Sequence, residues 1–183
     1  MKNRCSWCNL SNPLYLAYHD EEWGILNLEE NHLFELLVLE LFQAGLSWEC
    51  ILNKREAFRH AYENFDPNIV SLFHEEKIQS LMKDEGIVRN RKKILASVEN
   101  AKVFLRIQKE FHSFREYLLS YTKGTIFFET GETANALSDA ISFDLKKRGM
   151  KFLGSTIIYS FLQAIGIINS HEEGCFLHHP ENR

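Results

Sequence analysis

Between His32 and Trp48 the chain reads HLFELLVLELFQAGLSW, an almost unbroken apolar run. At about 100° per residue it forms a helix that other elements must cover. Glu40 then projects between Leu33, Leu36 and Leu37, in the middle of an apolar arc, while Glu35 falls on a different side. An ionised carboxylate at Glu40 needs a partner or a job there. The alternative is an edge position from which the carboxylate reaches water.

The rest of the chain supplies the cover. Proline occurs only at positions 13, 67 and 180, and long segments keep helical spacing. The spacing predicts helices near 29–44, 47–60, 67–71, 75–83, 89–108, 111–121, 134–148 and 155–166. NFDPNIV reads as a stop followed by a start, with Asp66 as cap and Pro67 at the first helical position. Gly86 reads as a C-terminal glycine. The long helix after Arg89 places Ile94, Leu95, Val98, Ala101 and Leu105 on one face. KGTIFFETGETAN reads as a loop or short extended piece. With no repeat and no sustained β alternation, the class is all-α.

The 183 residues suffice for a single globular domain of two closely packed helical lobes, and a hydrophobic content of 45% excludes a disordered chain. No apolar run is long enough to span a membrane, and MKNRCSWCNL lacks the apolar core of a signal peptide. The expectation is a cytoplasmic protein, monomeric and without a membrane partner. A formal net charge of −4 gives no general reason to bind nucleic acid. Such binding needs local basic patches, for which Arg89–Lys93 and Lys146–Lys151 are candidates; the alternative for each is a solvated helix face.

Cysteines stand at positions 5, 8, 50 and 175. Cys5 and Cys8 form a C-x-x-C, a weak metal signal by itself. HEEGC places His171 and Cys175 four apart, on one helical face or across one turn, and His19 follows the N-terminal cysteines. Two cysteines and two histidines are a standard tetrahedral zinc set, and a site using both chain ends would tie down segments that otherwise fray. Cys8 competes with Cys5, and His178 and His179 compete with His171, although these two read as exposed. Cys50 reads as a buried small hydrophobe.

Two helical patterns meet at RGMKFLG, bracketed by Gly149 and Gly154. The second starts at Ser155–Thr156 and offers free backbone N–H groups to an anion. With Lys146, Lys147, Arg148 and Lys151 nearby, a DNA phosphate is a candidate ligand; an ordinary packing joint is the alternative.

Taken together, PLYLAYHDEEWG, LELFQAGLSW, GIVRNRKKI, DLKKRGMKFLGSTIIYSFLQAIGIINSH and HEEGC, in that order, resemble the DNA-3-methyladenine glycosylase I family of the helix–hairpin–helix superfamily. The resemblance runs from Cys5 to about Cys175. It implies a monofunctional glycosylase that flips 3-methyladenine out of alkylated double-stranded DNA, hydrolyses its N-glycosidic bond and releases the free base. It implies a structural zinc ion on Cys5, His19, His171 and Cys175, joining segments of about 1–28 and 168–183. It implies a base pocket of Tyr15, Tyr18, Trp23 and Trp48 around Glu40. The hairpin residues Arg148, Gly149, Lys151, Gly154 and Ser155 would meet the DNA. Leu41 and Phe42 depart from the small or polar residue usual after the glutamate, and on the pocket floor they would alter it. Two rival readings follow: a glycosylase for another alkylated purine, or a zinc-stapled DNA-binding protein without catalysis.

Overall fold

The apolar run dictates the architecture. In the computed structural model, which describes residues 2–179, it forms α2 (Glu30–Gln43), with every residue from Leu33 to Phe42 buried, both glutamates included. Among the described residues the other α-helices are α1 (Pro13–Glu21), α3 (Trp48–Ala61), α4 (Pro67–Val70), α5 (Glu75–Lys83), α6 (Arg91–Phe111), α7 (Phe114–Thr122), α8 (Ala136–Lys147) and α9 (Ser155–Ala164). α3, α6, α7 and α9 pack directly on α2, and one hydrophobic cluster runs from Cys5 to Cys175. Met1 and the tail from Pro180, which the sequence assigns to the terminal zinc-binding part, lie outside the described residues.

Local chemistry sets the boundaries. Asp66 accepts from the Asn68 N–H at 2.8 Å, with Pro67 at the first position of α4. Asn90 caps α6, Ser113 caps α7, and Asn135 and Ser138 form a capping box on α8. α6 runs to Phe111, beyond the expected 108, and stops where His112 turns left-handed at φ 73°.

Four expectations need correction. α1 was not foreseen; Asn12 caps it and Pro13 opens it, but its apolar residues follow no one-sided pattern. Gly86 is not a left-handed helix end. α5 stops at Lys83, and a Cβ on Gly86 would lie 2.8 Å from the Ala57 Cβ, so close packing on α3 demands the glycine. Leu95 stands 36% exposed while Ile94, Val98 and Ala101 are buried. Finally, Phe127–Phe128 (β1) pairs in parallel with Ile168–Asn169 (β2), a bridge too short to leave alternation in the sequence. The fold is mostly helical.

A close crossing brings the chain ends to the site. Gly166, at φ 77°, lies so near the segment after α1 that a Cβ would come within 2.2 Å of the Ile25 carbonyl carbon. The Gly24 N–H donates to Gln163 O and the Asn27 N–H to Ile165 O, both at 3.0 Å. Trp23 is thereby fixed against the end of α9, next to the strand that leads into His171.

Candidate functional site

Two carboxylates on α2 meet different fates. Glu35, buried, accepts from Arg55 Nε at 2.7 Å and Arg59 Nε at 2.8 Å. Burial alone would raise its pKa, but the two guanidinium groups hold it below the usual carboxylate range. Glu40, only 3% exposed, has no hydrogen-bond or ion-pair partner among the described residues, and burial pushes its pKa up to about 8. It is no edge residue with access to water.

Its carboxyl group lines a cavity of about 310 Å³, within the range of roughly 300–1,000 Å³ for small-molecule sites. All four aromatics singled out by the sequence line it with Glu40: Tyr15 and Tyr18 from α1, Trp23 just beyond α1, and Trp48 from the first turn of α3. The Tyr18 and Trp48 rings lie 5.3 Å apart. Trp48 Nε1 is buried without a partner, an unused donor in the wall. Leu41 and Phe42 do not line the cavity; both are fully buried, and Phe42 packs on Phe58 at 4.9 Å. The departure after Glu40 therefore falls in the core.

Sequence reasoning missed Trp7, Gln43, Ser160, Gln163 and Ser170, the loop residues Thr130 and Gly131, and the place of Glu172 in the wall, which together complete the lining. Trp7 sits 4.7 Å from Trp23 and 5.6 Å from Tyr15; its place inside the C-x-x-C was the available signal.

Against the back of Trp23 lie Cys5, His19, His171 and Cys175, all buried, their ligand atoms within 4.8 Å of one another. His171 Nδ1 stands 3.4 Å from Cys5 Sγ and 3.6 Å from Cys175 Sγ, and His19 Nε2 stands 3.6 Å from Cys175 Sγ. Bonds of about 2.0–2.3 Å to a tetrahedral zinc separate sulfur from nitrogen by roughly 3.5 Å, so the donor set fits that ion. The outer ring nitrogens are also spoken for: His19 Nδ1 pairs with Asp20 Oδ1 at 2.9 Å, and His171 Nε2 donates to Trp23 O at 3.2 Å. Burial pushes the Cys5 thiol up to about 12; a dication is what would make a thiolate stable there.

Other residues fall elsewhere. Cys8 is buried outside the four-residue group. Cys50 is half-buried rather than a core residue. His178 and His179 are not exposed: His178 Nδ1 donates to His171 O at 2.8 Å, and the His179 ring stacks on Phe128 at 4.1 Å. Of the Arg89–Lys93 run, Arg89, Arg91 and Lys92 stand at the surface and Lys93 does not. Arg91 pairs with Glu75 at 2.8 Å, and Lys93 is buried, donating to Phe42 O at 2.9 Å and Ala44 O at 2.6 Å.

In the α8–α9 hairpin, Arg148 is bound to Asp144 and Glu110, each at 2.6 Å. Both carboxylates already engage its guanidinium. Lys151 is exposed. Ser155 opens α9, and its hydroxyl lies 2.8 Å from that of Ser138. Gly149 adopts φ 107°. Gly154 is not left-handed, and a Cβ there would meet nothing within 4 Å.

A family model described as methyladenine glycosylase matches residues 7–178. The chain belongs to the methyladenine glycosylase family. DNA-3-methyladenine glycosylase 1 of Escherichia coli (strain K12) is 43% identical over 179 residues, spanning 94% of this chain and 95% of that protein. A crystal structure of 3-methyladenine DNA glycosylase I matches with a TM-score of 0.92 at 41% identity, covering 97% of this chain and 100% of that one. A Staphylococcus aureus 3-methyladenine DNA glycosylase I, whose structure describes 3-methyladenine recognition, matches at a TM-score of 0.89 and 37% identity over 96% of each chain. In this methyladenine glycosylase, then, the cavity, the Cys/His cluster and the hairpin are three features of one fold.

Proposed function

We propose that this protein is a DNA repair glycosylase that takes 3-methyladenine out of alkylated DNA and hydrolyses its N-glycosidic bond, leaving an abasic site. The observation that carries the reading is Glu40, an unpartnered carboxyl group buried in an aromatic-walled cavity large enough for one base. Its relatives in Escherichia coli and Staphylococcus aureus carry the same activity in their names.

The chemistry suits these residues. A base inside a duplex must leave the stack to be reached. Tyr15, Tyr18, Trp23 and Trp48 offer faces on which it stacks, at about 1–3 kcal/mol per stacked base. Methylation at N3 makes the sugar-bound adenine cationic, which favours the aromatic faces and draws the Glu40 carboxyl group to its ionised form, an interaction that unmethylated adenine does not offer. The cation also weakens its own bond. The C1′–N9 electron pair departs with the base, which leaves neutral, and water adds to C1′ and loses a proton. Glu40 accepts from the exocyclic amine of the base. Asp20 and Asp144 are bonded to neighbouring groups and stand outside the cavity lining, Glu172 lines the cavity but accepts from Ser6, and Glu173 is exposed, so none of the four is assigned as a base for the water.

A structural zinc held by Cys5, His19, His171 and Cys175 is part of the same reading; with four protein ligands it joins the chain ends and leaves no position open for chemistry. The duplex is held at the hairpin by Gly149, Lys151, Gly154 and the N-terminus of α9 at Ser155. Gly154 supports this, because neither its conformation nor its packing requires glycine, whereas close approach of a DNA backbone would. Arg148 is reassigned to holding the hairpin together. Release without strand cleavage is expected, since no lysine is among the described residues that line the cavity. We further read the chain as a single-domain, cytoplasmic monomer.

The test is incubation with N-methylated duplex DNA and chromatographic identification of the released base. Release of 3-methyladenine is expected. Binding to an abasic duplex without base release would support the non-catalytic alternative, and release of a different purine would support a shifted substrate.

A further inference from the structure

The turn between α8 and α9 spans residues 148–154, and side chains from α6 and α8 hold three of its carbonyl groups. Arg106 Nη2 donates to Arg148 O at 3.0 Å, Asn100 Nδ2 to Lys151 O at 3.0 Å and Ser142 Oγ to Leu153 O at 2.7 Å. Asn100 also accepts from the Lys151 N–H at 2.8 Å through Oδ1. Asn100 is 1% exposed and lies on the buried side of α6. Its amide spends both ends on the backbone of one residue, which fixes the peptide planes on either side of Lys151.

The next residue adopts a conformation that needs such support. Phe152 has φ 60°, a left-handed geometry disfavoured for an aromatic L-residue, and its ring stands half-exposed. Asn100 holds the peptide before Phe152, and Ser142 holds the carbonyl just after it. With the carbonyls of residues 148, 151 and 153 engaged, the N–H groups of residues 152–157 find no acceptor among the described residues.

We propose that Asn100, assisted by Ser142, is a positioning residue for DNA binding. It turns the hairpin carbonyls toward α6 and α8 and keeps Phe152 left-handed. A phosphate then meets N–H groups and Lys151 rather than carbonyl oxygens. The proposal rests on the reading of the hairpin as the DNA-binding element. It assigns the hairpin's geometry to a residue on a different helix, which contributes no atom to the phosphate site.

The experiment measures affinity for an abasic duplex by fluorescence anisotropy and for free 3-methyladenine by calorimetry. The variants are Asn100→Ala, Phe152→Gly, the double variant and Lys151→Ala. Asn100→Ala weakens duplex binding about tenfold, as expected for one or two lost hydrogen bonds, and leaves base affinity within about twofold. Glycine accepts φ 60° without a steric penalty, so Phe152→Gly in the Asn100→Ala background recovers most of that loss. Independent effects of the two substitutions, or base affinity falling in step with duplex affinity, would overturn the proposal. If Asn100→Ala does not fold, Ser142→Ala decides: a loss on the duplex alone, of about threefold or more, supports the proposal and no loss overturns it. A loss in Lys151→Ala with none in Asn100→Ala removes the positioning role only. No loss in either removes the reading of the hairpin as well.

Discussion

His171 donates from Nε2 to the carbonyl oxygen of Trp23 at 3.2 Å, and the two rings meet edge to face at 4.7 Å. This contact joins the Cys/His cluster to the wall of the base cavity. A histidine of the cluster is oriented by the backbone of a cavity residue, so whatever fixes the ring of His171 also fixes Trp23.

Metal removal therefore reaches the cavity. Cys175→Ser, or prolonged chelation, is expected to abolish binding of one zinc per chain and to lower Tm by roughly 10 °C or more, at about 2–4 °C per kcal/mol for a chain of this size. Affinity for free 3-methyladenine falls too, through Trp23. Metal analysis and thermal denaturation check this; a variant with unchanged metal content and Tm would contradict it.

Glu40 makes stability depend on pH in a defined direction. Its folded pKa of about 8 lies above the ordinary 4.5, so between these values the folded state binds more protons than the unfolded one. Stability is fully present below about pH 4.5 and falls as pH rises through 8, by about 5 kcal/mol in all. Glu40→Gln cannot ionise, so it melts like the parent near pH 4 and roughly 10 °C higher above pH 8. Urea titrations across that range without base present measure the slope.

The same substitution weakens recognition. A hydrogen bond to a charged group is worth about 1.5–3 kcal/mol, so Glu40→Gln is expected to bind 3-methyladenine roughly tenfold to a hundredfold more weakly. Excision slows without vanishing, because the charge on the substrate drives bond cleavage. Calorimetry and single-turnover release measure the two effects separately; unchanged binding and excision would remove Glu40 from the site.

Lys151 and Arg148 are neighbours with opposite expectations. Lys151→Ala weakens intact and abasic duplexes alike and lowers the salt slope by about 0.9, one phosphate contact. Arg148→Ala frees Glu110 and Asp144, so it lowers Tm and leaves the slope unaltered. Binding isotherms at four salt concentrations distinguish them.

Lys93 belongs to stability. Its ammonium group caps the last carbonyls of α2, so Lys93→Met is expected to cost about 1–3 kcal/mol for the carbonyls left bare and to leave the salt slope unchanged. Denaturant unfolding and the same binding isotherms check both halves.

The sequence by itself determined the central helix, the helical class and the residue types of the site. Apolar spacing and caps such as Asp66–Pro67 act over a few residues, and the motifs around His19, Glu40, Trp48 and Cys175 are local strings. It could not say which of two buried glutamates is neutralised, because Arg55 and Arg59 reach Glu35 from α3 and no described residue reaches Glu40. Nor could it separate Lys93 from its basic neighbours, because the carbonyls it caps lie about fifty residues away in the chain. Trp7 and Gln163 joined the cavity, and Arg148 turned to Glu110, for the same reason. A charge or a donor takes its role from the groups around it, and those are set by contacts between distant segments that only the folded chain brings together.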